Sequence, residues 1–212
     1  MKFGQLLKLV GDSPVFESNL LLAGDIDPQI VRLQLGRWTK NGLIYQLRRG
    51  LYAIASPYQK TKPHPFQIAN SLKRASYVSA QSALAFYGMI PDIVNVTISF
   101  TSGRPEMIET PLGSFQFRHI KTHLLTGYHM TSLGDQGALI ASPEKALLDL
   151  IYLQTGGEQI NFIRELRLQN LDHLHLDTLW TYVDVFSSPK MHRAGVVIAN
   201  LIQESAGELE II

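Results

Sequence analysis

Apolar positions at Phe3, Leu6, Leu7 and Val10 recur at the spacing that gathers side chains on one face of an α-helix. Gly11-Asp12-Ser13-Pro14 breaks that pattern. Phe16 to Leu22 is long enough for a second short helix, stopped by Ala23-Gly24-Asp25. Asp27-Pro28 then supplies a start signal, with Asp as N-cap and Pro at the first helical position. A third helix is expected from Pro28 to about Asn41, with Gly42 as its stop. After Gly42 the period shortens to that of a strand. Leu43–Leu47 and Leu51–Ala55 are strand candidates, and Arg48-Arg49-Gly50 between them predicts a hairpin.

The polar, proline-rich stretch Ser56 to Pro65 follows and places a domain boundary near residue 62. Beyond it the pattern is mixed. Helices are expected over Phe66–Arg74 and Ala80–Tyr87, then strands over Val94–Phe100, Gly113–Ile120 and Gly137–Ala141. Ser142-Pro143-Glu144 opens a long apolar helix, and three more helices are expected near Glu158–Leu168, Asp177–Val185 and Pro189–Glu204. The fold class is therefore α/β (mixed α+β). Residues 1–62 form a helix-rich module closed by a hairpin, and residues 63–212 form a mixed domain with a small sheet and C-terminal helices.

Three short helices followed directly by a two-stranded hairpin is the element order of a winged helix-turn-helix, in which the third helix enters the major groove of DNA. At 100° per residue, Val31, Leu35 and Trp38 fall together and are expected in the core. Gln29, Arg32, Gly36 and Lys40 fall opposite, with Arg37 at the edge. Arg and Gln can read base edges bidentately, and Lys suits phosphate. A hairpin tip bearing Arg48 and Arg49 suits the minor groove or its phosphates. The candidate DNA-binding residues are thus Gln29, Arg32, Arg37, Lys40, Arg48 and Arg49, and the expected partner is double-stranded promoter or operator DNA.

Charge sharpens this picture. The net charge of +1 conceals a basic residue 1–91 stretch, with 11 Lys/Arg against 4 Asp/Glu, and an acidic remainder, with 8 against 14. The two parts carry +7 and −6, which points to different partners. Two faces of one dipolar globule would give the same counts, and a module of this shape also docks proteins. Hydrophobic residues at 45% and charged residues at 17% suit a globular protein. No apolar run approaches the roughly 18 residues of a membrane span, and no cleavable leader is evident. The absence of cysteine excludes disulfides and thiolate metal sites and is compatible with a cytoplasmic location.

The run Arg37-Trp38-Thr39-Lys40-Asn41-Gly42-Leu43-Ile44, continued by Leu47-Arg48-Arg49-Gly50-Leu51-Tyr52, resembles the N-terminal domain of the AbiEi antitoxin family. Tyr77 to Gly88 and Ala141 to Asp149 are similar to stretches of that family's second domain, so the resemblance covers most of residues 28–150. It implies a transcription regulator that represses its own operon by binding promoter repeats, and a nucleotidyltransferase toxin as protein partner.

Nothing in the sequence carries a catalytic signature, so no enzyme, metal or cofactor is expected. His119 and His123 lie at a strand end and in a polar loop, and His173 and His175 flank Leu174. Neither pair has the setting of a metal-binding helix. Lys145 and Asp149, four apart on a helix, are expected to form a surface ion pair. Two other classes stay open: a protein-docking module without DNA, and an enzyme acting on nucleic acid through the second domain. The latter would gather Arg104, Arg118, His119 or His123 beside a carboxylate in one pocket.

Overall fold

The computed structural model of the chain describes residues 1–22 and 27–209. Helix α1 spans Phe3–Val10, buries Leu6 and Val10, and ends at Gly11. The expected second helix is instead a short strand, β1 (Phe16–Glu17), running into a 3-10 helix over Ser18–Leu22. Pairing of Phe16 with Tyr52 and of Glu17 with Leu51 explains the difference. A segment this short gains little from helix formation, so a tertiary ladder decides its conformation. The expected stop at Ala23-Gly24-Asp25 lies outside the described residues.

Helix α2 spans Pro28–Lys40, with the Asp27 carboxylate accepting from the Gln29 N–H at 2.7 Å. Strands β2 (Ile44–Arg48) and β3 (Leu51–Ile54) form the hairpin. Its turn holds Gly50 at φ +83°, where a side chain would be strained. The three strands order as β1-β3-β2. Leu6, Leu35, Trp38, Ile44, Tyr52 and Ile54 belong to a first core beneath them.

The second part begins with α3 (Pro65–Leu72), β4 (Ser76–Val78) and α4 (Ala80–Phe86). Strands β5 (Val96–Thr101), β6 (Glu106–Thr110), β7 (Gly113–His119), β8 (Tyr128–Leu133) and β9 (Gln136–Ala141) follow. They form one sheet in the order β6-β7-β5-β4-β9-β8. Only the β4–β9 and β5–β7 pairs are parallel. Helix α5 (Pro143–Leu153) leads to α6 (Ile160–Glu165), α7 (Leu176–Phe186) and α8 (Pro189–Leu209). The fold is mixed α/β, as expected. Strands β4, β6 and β8 were not expected. The first is three residues long, and the other two are sheet edges whose mostly exposed side chains leave no apolar alternation. Among the described residues no helix is long and apolar enough to cross a membrane.

The hairpin serves two cores. Alternation along its strands sends Ile44, Tyr52 and Ile54 to the first core, and Leu47, Leu51 and Ala53 to the larger one with Ile68, Leu72 and Tyr77. The proline-rich segment is also held. Gln136 donates to the Lys62 carbonyl at 3.0 Å and accepts from the His64 N–H at 2.8 Å. Arg74 pairs with Glu17. The hairpin is therefore packed on both faces, and its exposed positions are Gln46 and the two arginines at its tip, Arg48 and Arg49.

Candidate nucleic-acid interface

The rotation of α2 is set by the three side chains it buries: Val31 at 7% exposure, Leu35 at 1% and Trp38 at 4%. Phe3 meets the Trp38 ring edge-on at 5.8 Å and helps hold it. With those three inward, Gln29, Arg32, Gly36, Arg37 and Lys40 are all exposed. Among the described residues none of Arg32, Arg37 and Lys40 has an acidic partner. Other cations of the basic stretch are neutralised locally: Lys60 by Asp12, Lys73 by Glu106 and Arg74 by Glu17.

Between α2 and the hairpin runs an open groove of about 530 Å³. Arg32 lines it from the helix, Gln46 and Arg49 from the hairpin, and Tyr52 contributes beneath. Ser18, at the start of the 3-10 helix, ties its N–H to the Gly50 carbonyl at 2.8 Å and so fixes the hairpin end against the groove wall. Burial pushes the Tyr52 hydroxyl above its ordinary range, which keeps it a neutral donor. A groove with one guanidinium on each wall and no carboxylate in its lining is suited to an anion, with the Gln46 amide for polar edges.

The six expected residues do not act as one set. Arg32 and Arg49 come together across the groove, while Gln29, Arg37 and Lys40 lie along the exposed face of α2. Arg48 turns away, with its guanidinium 3.4 Å from the Ser71 carbonyl on α3. Two further features of the interface are Gln46, which sequence periodicity places on a strand without saying what it faces, and the exposed Leu33 on α2.

Arg118 and His119 share a second groove of about 420 Å³ with Glu106, Met107, Gln116 and Leu153. Arg104 and His123 do not line it. The register pairs Glu106 with Phe117 and Met107 with Gln116. Strand alternation therefore puts Arg118 on one sheet face, and Glu106 and His119 on the other. Glu106 is engaged by Lys73, and His119 Nδ1 lies 3.0 Å from the Gly103 carbonyl. Arg118 lies over the Phe100 ring, 5.9 Å from its centre, and burial lowers its pKa. Acid, imidazole and guanidinium are not aimed at one point. Among the described residues, no group of three or more His, Asp or Glu side chains stands ready for a metal.

The expected surface pair of Lys145 and Asp149 is a correction: both are fully buried. Lys145 donates to Asp149 and to the Tyr77 hydroxyl at 2.7 Å. Asp149 also accepts from Tyr77 at 2.9 Å and from Ser79 at 2.7 Å. Burial pushes the Asp149 carboxyl up and the Lys145 ammonium down, while each favours the charged form of the other. The residues from Glu144 to Ile151 are all buried, so α5 has no solvent face at that level. Nothing in the sequence pattern marks this burial: Lys145 and Asp149 fall together on one side of an otherwise apolar helix, as the charges of a solvent face would. The two grooves described above are lined by other residues, and the network pins α5 to β4.

Compared with models of protein families and with curated proteins, the chain matches none.

Proposed function

We propose that the chain is a DNA-binding transcription regulator rather than an enzyme, with a winged helix-turn-helix over residues 1–62. The observation that carries this reading is the pairing of Arg32 and Arg49 across the groove, beside a helix face without a carboxylate. The order helix, strand, short helix, helix, hairpin supports it, as does the β1-β3-β2 sheet. On this reading α2 enters the major groove, Gln29 and Arg32 meet base edges, and Arg37, Lys40 and Arg49 follow phosphates. The role falls to full-length protein on double-stranded operator DNA, in the cytoplasm, with no cofactor.

The resemblance to AbiEi antitoxins extends the proposal. The protein represses its own operon, and residues 63–212 hold a nucleotidyltransferase-like toxin. The net charge of −6 over residues 92–212 disfavours a DNA backbone and favours a basic protein surface. Full-length protein titrated onto its own upstream DNA, and co-expressed with the product of the neighbouring gene, tests both parts. A shifted duplex and a co-purifying neighbour are expected. Failure to shift DNA overturns the regulator reading. A shift without a nucleotidyltransferase-like neighbour overturns only the antitoxin part.

A further inference from the structure

Two residues on the exposed face of α2, Leu33 and Gly36, have no explanation within the chain. Leu33 is 64% exposed, and Ile30 beside it is 59% exposed. A lone exposed leucine is ordinary, but Leu33 sits among candidate DNA contacts. Helical spacing puts Gln29 four residues before it and Arg37 four after, with Gly36 one turn along. Gly36 is the second anomaly. It lies mid-helix, where glycine costs about 1 kcal/mol relative to alanine. A Cβ built there meets nothing within 4 Å, and its backbone is not in the left-handed region. Neither crowding nor strain inside the protein calls for glycine at that position.

Both anomalies are resolved by a body outside the chain that approaches the helix closely at Gly36 and offers an apolar contact to Leu33. The charge around them selects that body. The exposed face of α2 carries Arg32, Arg37 and Lys40 without a carboxylate, which suits a polyanion and not an apolar protein surface. Within a duplex, the apolar group in the major groove is the C5 methyl of thymine.

We infer that Leu33 reads a thymine methyl in the major groove and that Gly36 provides the clearance for the base edge to reach the helix backbone. The inference rests on the DNA-binding reading and deepens it by naming the base class read by the helix. It predicts operator half-sites with a thymine at a fixed place relative to the base met by Arg32.

The test uses full-length protein and a duplex selected by it from a random-sequence library. Each thymine is replaced in turn by deoxyuridine, which removes only the methyl, and binding is followed by fluorescence anisotropy. At one or two positions the replacement weakens the wild type by about fourfold, the scale for exposing one methyl group to water. Leu33→Ala binds the thymine duplex more weakly and no longer distinguishes thymine from deoxyuridine at those positions. Gly36→Ala unfolds at an unchanged or higher temperature yet binds the selected duplex several-fold more weakly, which separates clearance from folding.

If the wild type binds with steep salt dependence but is indifferent to every deoxyuridine, the Leu33 inference fails and the DNA reading stands. If Gly36→Ala binds as tightly as the wild type, the clearance role fails. If no duplex is bound or selected even at low salt, the DNA reading itself fails. Should Leu33→Ala instead turn a dimer into a monomer by sedimentation with thymine discrimination intact, the face is a contact between copies of the chain and the inference is overturned.

Discussion

The Arg48 guanidinium lies 3.4 Å from the main-chain carbonyl of Ser71, in the second part of the chain, although its neighbour Arg49 lines the groove against α2. Adjacent arginines at one hairpin tip thus have different surroundings. Arg49→Ala is expected to weaken binding to duplexes of any sequence, because a groove cation that follows the backbone carries no base information. Arg48→Ala is expected to have the smaller effect on DNA. Binding curves for the two variants decide this, and a larger loss from Arg48→Ala would mean that its side chain swings out to the duplex.

Trp38 belongs to the core. With 4% of its surface exposed and Phe3 against its ring, Trp38→Ala is expected to lower stability by about 3–5 kcal/mol. Urea unfolding measures the loss. A variant of wild-type stability that no longer binds DNA would make the indole a contact residue instead.

The buried Lys145–Asp149 pair gives an asymmetric expectation. Asp149→Asn leaves an ammonium buried without its counter-charge and should cost about 3–5 kcal/mol. Removing both charges together, as Lys145→Met with Asp149→Leu, should restore much of that loss. Denaturant midpoints of the three proteins are the readout, and equal midpoints for Asp149→Asn and wild type would contradict the buried network.

His64 gives stability a pH dependence at the junction between the two parts. Its Nδ1 accepts the Phe66 N–H at 3.1 Å and caps α3, and burial lowers its pKa below the ordinary value of 6.5. The folded state therefore favours the neutral ring. This contribution is complete above pH 6.5 and is lost as the pH falls below it, when protonated Nδ1 can no longer accept. His64→Asn keeps a capping oxygen without the titration, so its stability should vary less between about pH 5 and 7. Parallel profiles for the two proteins would remove His64 from the account.

Much of the N-terminal module was legible because its signals are local. Asp27-Pro28, the Val31–Leu35–Trp38 stripe and the glycine of the hairpin turn each act within a few residues. The strand at Phe16–Glu17 was not, because its conformation is set by Tyr52 and Leu51, far along the chain. The edge strands Glu106–Thr110 and Tyr128–Leu133 were missed for want of an apolar face. In the candidate interface, helical periodicity gave the exposed side of α2. It could not show that Arg49 faces α2 while Arg48 faces Ser71, since that depends on how the hairpin packs on α3. The burial of Lys145 was hidden for a similar reason: Asp149 is its neighbour on the same helix, but Tyr77, which closes over both, arrives only from strand β4.

The most direct test of the account is the salt dependence of binding of full-length protein to a labelled duplex. With Arg37, Lys40 and Arg49 on phosphates, the logarithm of the association constant should fall linearly with the logarithm of salt, at a slope of about −3. Arg37→Ala with Arg49→Ala, which removes two of the phosphate contacts, should make that slope shallower by about 2. A flat response from low to physiological salt, or a slope unchanged in the double variant, would contradict the assignment of the groove to DNA.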